Sequence, residues 1–131
     1  MINRQIEQLI ASGTPTAEAV DAFLRDHDFP LVEPGSVTFV YRGAADEVIL
    51  RRWISGFNTA LPMQSLEGTD LWLLTMELPQ GSRFEYKFEV VRKGERELLL
   101  DAFNDVVAHD PFGANSVCQG YGYRRPAWTL P

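Results

Sequence analysis

From residue 36 onward the apolar positions of this chain recur every second residue; before residue 29 they recur every third or fourth. The alternation is cleanest over residues 83–90. Phe84, Tyr86, Phe88 and Val90 fall on one face, and Arg83, Glu85, Lys87 and Glu89 on the other. Side chains along a strand point to opposite faces in turn, so this stretch predicts a strand with one face in a core and one in water. Residues 71–78 are apolar on both faces near their start, with Trp72, Leu74, Met76 and Leu78 opposite Leu71 and Leu73. That pattern predicts a strand covered on both sides. Pro79 and Gly81 interrupt the period between the two stretches, and the pair is expected to form a hairpin.

The same reasoning predicts strands at 37–41, ended by Gly43, at 47–54, near 63–66, at 95–100 after the Lys93, Gly94 turn, and a last edge strand at 116–118. Residues 56–62 read as a loop. Residues 29–35, with Pro30, Pro34 and Gly35, read as a linker without regular structure. Ahead of it, Ile2, Ile6, Leu9 and Ile10 predict a helix over 2–12, ended by Gly13. Thr14 is expected to be the N-cap of a second helix with Pro15 in its first turn, and Ala17, Val20, Phe23 and Leu24 form its apolar stripe. This helical pair is expected to cap the main domain. Frequent short strands separated by turn signals predict a mainly β fold, an immunoglobulin-like antiparallel β-sandwich. The expected divisions are a helical cap at 1–33, the sandwich at 34–118, and an irregular strap or linker at 119–131, where Gly, Pro and aromatic residues alternate.

Composition sharpens the class. The chain has 131 residues, enough for one domain with a real core, and is 45% hydrophobic and 23% charged, as in ordinary soluble proteins. Eighteen acidic against twelve basic residues give a formal net charge of −6, which argues against nucleic acid or an anionic membrane as the partner. A single cysteine, Cys118, excludes an internal disulfide and fits a reducing compartment. With no bilayer-spanning apolar run and no signal-peptide core, the expected location is the cytoplasm.

Candidate chemistry is sparse. Ser12, Ser36, Ser55, Ser65, Ser82 and Ser116 all lie outside a G-x-S-x-G elbow. Cys118 lacks an evident activating base and reads as a small buried hydrophobe. His27 and His109 lie far apart and do not have zinc-ligand spacing. His109 and Asp110, next to Pro111 and Gly113, read as turn formers, and Asp101 and Asp105 as loop hydrogen-bonders. The chain is therefore expected to be non-catalytic and to need no cofactor or metal. Binding is the chemistry left. Lys87, together with Trp53, Asn58 and Asn115, could hold a sugar or another polar ring, the indole covering the ring face and Lys and Asn meeting hydroxyls.

Several motifs carry a family resemblance. Val48 through Gly56, Phe57 and Asn58, then Leu71 and Trp72, Leu78, Pro79 and Gly81, Glu85 through Phe88, and Asp101 resemble the early-set immunoglobulin-like domain. That domain is shared by glycogen-binding modules of the AMP-activated kinase beta subunit, by branching and debranching enzymes, and by enterochelin-esterase-like proteins. Two further stretches resemble the N-terminal domain of bacterial esterases of the enterochelin esterase type. They are Ala108 through Cys118, with its Asp-Pro-Phe-Gly-Ala-Asn-Ser-Val run, and Gly122 through Trp128. The resemblance covers residues 35–131 and implies a partner, a C-terminal α/β-hydrolase domain with a Ser-His-Asp triad. It also implies assembly as a homo-oligomer or a glycan or siderophore-type ligand. Lys87 and Asn115 map onto the sugar-contacting positions of the glycogen-binding members. Thr59 and Ala60 replace the tryptophan that follows Phe-Asn there, and residues 97–100 lack the second aromatic. Losing two stacking platforms, each worth ~1 kcal/mol, favours the esterase-associated branch over α-glucan binding.

Overall fold

The alternating stretches do become strands, but their partners differ from those expected. The computed structural model describes residues 5–11, 13–54, 57–111 and 113–123. Two helices, α1 (Gln5–Ile10) and α2 (Ala17–Asp26), precede ten strands. These are β1 (Leu31–Glu33), β2 (Ser36–Arg42), β3 (Glu47–Ile54), β4 (Phe57–Pro62), β5 (Gln64–Ser65), β6 (Leu71–Glu77), β7 (Arg83–Arg92), β8 (Glu95–Leu99), β9 (Val107–Asp110) and β10 (Gly113–Gln119). They form an antiparallel β-sandwich. One sheet has the order β1-β2-β6-β5; the other has β4-β3-β7-β10-β9, with β8 also paired to β7.

The expected hairpin over 71–90 is not one. β6 pairs with β2 and β5, while β7 pairs with β3 on one edge and with β10 and β8 on the other. β6 and β7 therefore lie in different sheets, and the intervening turn arches from one sheet to the other. The turn is held partly by the segment after β10: Gly81 N donates to Tyr121 O, and Ser82 O accepts from Gly120 N. The local hairpin is β7–β8, closed by Lys93 at φ 50° and Gly94 at φ 81°, with Arg92 opposite Glu95. Positive φ at both central residues matches the right-handed twist of the flanking strands.

Five other expectations need correction. The 29–35 linker contains β1, and the 56–62 loop is β4, paired along its length with β3. The strand expected at the edge over 116–118 is the longer β10, lying inside the sheet between β7 and β9. His109 and Asp110 belong to β9, opposite Ala114 and Gly113 of β10. These segments carry little alternation of their own; their neighbours' unpaired backbone groups hold them in the sheet. The N-cap of α2 is Thr16, whose Oγ1 accepts from Ala19 N at 3.1 Å, so Pro15 precedes the helix and Thr14 does not cap it. Thr14 instead lies against the turn before β6, where a Cβ on Gly68 would come within 2.8 Å of Thr14 Cγ2. Part of the helix expected over 2–12 and most of the strap expected over 119–131 lie outside the described residues.

The two-sided apolarity of β6 has its predicted consequence. Between the sheets, Phe39, Leu50, Phe84, Tyr86, Phe88 and Cys118 form the main core, and Trp72, Leu74 and Met76 pack against it. On the other side of β6, Leu71 and Val40 are covered by Val20, Phe23 and Leu24 of α2, with Phe29 and Leu31. The helical segment thus roofs the outer face of the four-stranded sheet. One edge of β7 is shared end to end, by β10 along residues 83–86 and by β8 along 88–92. The loop between β8 and β9 fills the join with buried polar groups. Tyr86 Oη donates to Asp101 Oδ2 at 2.6 Å, and Asn104 Nδ2 donates to Tyr86 Oη and to Val117 O. Asp101 N donates to Ser116 Oγ, and Phe103 N donates to Asp101 Oδ1. Burial pushes the Asp101 carboxyl above its ordinary range and the Tyr86 phenol well above its own.

Candidate functional site

The polar face of β7 is the outer face of the six-stranded sheet, and strand register decides what stands on it. Arg51 is opposite Lys87 and Trp53 is opposite Glu85 across the β3–β7 ladder. The β3–β4 ladder sets Asn58 opposite Trp53; its side chain lies outside the described residues. Asn115 Nδ2 donates to Glu85 Oε1 at 2.9 Å. Register therefore gathers all four expected binding positions, Lys87, Trp53, Asn58 and Asn115, around Glu85.

Three residues that sequence reasoning missed complete this face. Glu89, with its side chain only 7% exposed, accepts from Arg51 Nε at 2.6 Å through Oε1 and from Arg96 Nη1 through Oε2. The two bonds hold the Glu89 carboxyl below its usual range, that from Arg96 contributing most, while burial opposes them. Each guanidinium donates to Glu89 through one nitrogen, and a guanidinium carries five N–H donors in all. Arg51, Trp53, Glu89, Arg96, Glu97 and Leu98 line a cleft of about 460 Å³. Arg51 and Glu89 lie on strands far apart in sequence, so no local pattern couples them. Arg96 was within reach of the sequence, because a two-residue turn at Lys93, Gly94 fixes the β7–β8 register and sets Arg96 diagonal to Glu89.

Four of the candidate nucleophiles and bases are engaged elsewhere. Ser116 Oγ accepts from Asp101 N, and Ser82 Oγ donates to Pro79 O. His27 Nδ1 is hydrogen-bonded to Phe23 O, within its own helix turn. Cys118 is fully buried and its thiol is pushed up to about 12, chiefly by burial, so it is not a thiolate near neutrality. Among the described residues no group of three or more His, Cys, Asp or Glu side chains could hold a metal ion, and no helix is long and apolar enough to cross a membrane.

Fold and face together describe a small antiparallel sandwich with a polar, partly cleft outer sheet. Solved structures with this fold include type I pullulanase from Bacillus subtilis str. 168 complexed with maltose (20% identity, TM-score 0.59), matched over 92% of this chain and 16% of that one. They also include the enterobactin esterase FES from Shigella flexneri, solved in the presence of 2,3-di-hydroxy-N-benzoyl-serine (21% identity, TM-score 0.56), matched over 73% of this chain and 32% of that one. A pullulanase from Bacillus acidopullulyticus matches with 16% identity and a TM-score of 0.56, over 68% of this chain and 11% of that one. At these identities the likeness is one of fold. The chain spans about a third or less of the length of each of these hydrolases. No family model matches the chain, and no curated protein matches it by sequence.

Proposed function

We propose that this chain is a non-catalytic domain of a larger hydrolase, within the early-set immunoglobulin-like group. In this reading it precedes and packs on an α/β-hydrolase domain of the enterobactin esterase type and shapes access to that domain's active site. The observation that carries the reading is the match to the Shigella esterase, which takes in most of this chain but only a third of the esterase. The family-like run from Asp110 to Cys118 supports it further, and Ser82, Ser116, His27 and Cys118 are engaged in local hydrogen bonds or packing. The test is the intact mass of the native polypeptide, read together with its coding frame. A mass well above 14.8 kDa, with a G-x-S-x-G elbow and later Asp and His, is the expected result. A native mass of 14.8 kDa removes the catalyst and refutes the reading.

The cleft favours a second reading, a carbohydrate-binding module. Trp53 offers a ring face, and Arg51, Arg96 and the neighbouring Lys87 offer donors for hydroxyls. Affinity electrophoresis in gels containing soluble α-glucan decides it. Retardation that vanishes in both Lys87→Ala and Trp53→Ala supports glycan binding, and unretarded migration of the parent chain rejects it.

A further inference from the structure

The cleft on the outer face brings two kinds of surface together. Trp53 and Leu98 line it as apolar groups, and Arg51 and Arg96 line it as cations from the strands on either side of β7. Glu89 takes one hydrogen bond from each arginine, from Arg51 Nε at 2.6 Å and from Arg96 Nη1. Among the described residues these are the hydrogen bonds that the two guanidinia make. One buried carboxylate thus anchors two cations and neutralises one of them. Arg51 keeps the donors of Nη1 and Nη2, and Arg96 keeps those of Nε and Nη2. Each set is a pair of parallel N–H groups, the geometry that a carboxylate meets with both oxygens. The other carboxylates nearby are placed differently. Glu97 also lines the cleft, but it is opposite Val90 of the core, so strand alternation turns its side chain to the other face. Glu85 is engaged by Asn115 and Arg83. Glu47 attracts Arg96 without a hydrogen bond, and Lys87 adds a positive charge opposite Arg51.

We propose that this cleft binds a ring carrying a carboxylate, with Arg51 and Arg96 holding the carboxylate and Trp53 and Leu98 covering the ring. The inference rests on the second reading above, that the cleft is a binding site, and names the chemistry of its ligand. At about 460 Å³ the cleft has the size of a small-molecule site. A hydroxyl is met as well by an amide or another hydroxyl, whereas paired guanidinia favour an acceptor with two charged oxygens. Glu89 holds both arginines in place before a ligand arrives, which lowers the cost of ordering them.

Titration of the chain with benzoate, benzyl alcohol, D-glucuronate and D-glucose tests it, followed by NMR at the indole N–H of Trp53. At least one acid should shift that signal saturably and bind roughly tenfold more tightly than its neutral counterpart. Arg96→Gln, at a side chain 57% exposed, should abolish the preference. Arg25→Gln removes the same charge from a side chain 72% exposed on α2 and should leave the preference intact. The comparison of acid with neutral ring needs no variant, so it stands whatever Arg96→Gln does to stability. A preference for glucuronate identifies a sugar acid and one for benzoate an aromatic acid; either supports the inference. Equal affinity for acid and neutral ring, the lack of a saturable shift with any of the four, or a preference that survives Arg96→Gln overturns it. Retardation in the α-glucan gel without a preference for acids overturns the inference and leaves the carbohydrate reading standing.

Discussion

Tyr86 is the residue on which most of the internal polar order depends. Its ring is fully buried against Phe39, and its hydroxyl joins Asp101 to Asn104. Tyr86→Phe keeps the ring and deprives both partners of a bond inside the protein. Leaving buried polar groups unsatisfied costs about 1–3 kcal/mol, which urea unfolding would read as a lower midpoint. The same site gives a pH dependence of definite sign. Burial holds the folded Asp101 carboxyl above its unfolded value of about 3.9. Across that interval the folded state binds more protons than the unfolded one, so this group's contribution to stability falls as pH rises through it. Glu89 acts oppositely. Its folded value is depressed, so its contribution is present above the ordinary carboxylate range and is lost as pH falls through the folded value. Unfolding curves measured across the carboxylate range should show the Asp101 slope in the parent chain and not in Asp101→Asn. The sequence marked Tyr86 as core by its place in the alternation, but not its hydroxyl's partner. Asp101 reads as a turn residue, and only the shared edge of β7 carries it inward.

At the scale of elements, α2 depends on its cap. Thr16 Oγ1 satisfies Ala19 N at the start of the helix that roofs one sheet. Thr16→Ala should cost about 1 kcal/mol, visible as a lower thermal midpoint. Both threonines ahead of this helix are acceptable caps by residue type. The choice between them is made by tertiary packing, which sets Thr14 against Gly68. Strands with strong alternation, such as β7, were legible because hydrophobic burial alone defines them. β4 and β9 were not, since neither Phe57–Pro62 nor Val107–Asp110 shows a core-facing series, and their place comes from the ladders of β3 and β10. The arch between β6 and β7 was misread for a related reason. A Pro/Gly turn announces a reversal of direction and says nothing about whether the chain stays in one sheet. Of the outer face, Lys87 and Trp53 could be read in advance as outward positions, whereas the Arg51 to Glu89 pair required the register.

For the molecule as a whole, the roof over the four-stranded sheet is part of the fold's stability. Val20, Phe23 and Leu24 are each at most 8% exposed. Burying side chains of this size contributes roughly 1.5–3 kcal/mol apiece, so together they rival the net stability of a typical domain, about 5–15 kcal/mol. A chain lacking residues 1–28 should therefore bare Val40 and Leu71, lose its monomer peak in size-exclusion chromatography and aggregate. A truncated chain that stayed monomeric and melted like the parent would show that the helices are dispensable.

The arch also sets an order of assembly on the ribosome. Every strand of the four-stranded sheet, and the helices that roof it, precede Leu78 in the chain, whereas β3 and β4 wait for β7 to complete their sheet. As synthesis proceeds from the N-terminus, the roofed half can close while the edge of β3 that takes β7 is still unpaired, its inward Val48 and Leu50 covered only by the facing sheet. A pause in translation that left residue 77 outside the ribosome while β7 was still in the exit tunnel would hold the nascent chain in that half-built form, the point at which a chaperone has most to protect.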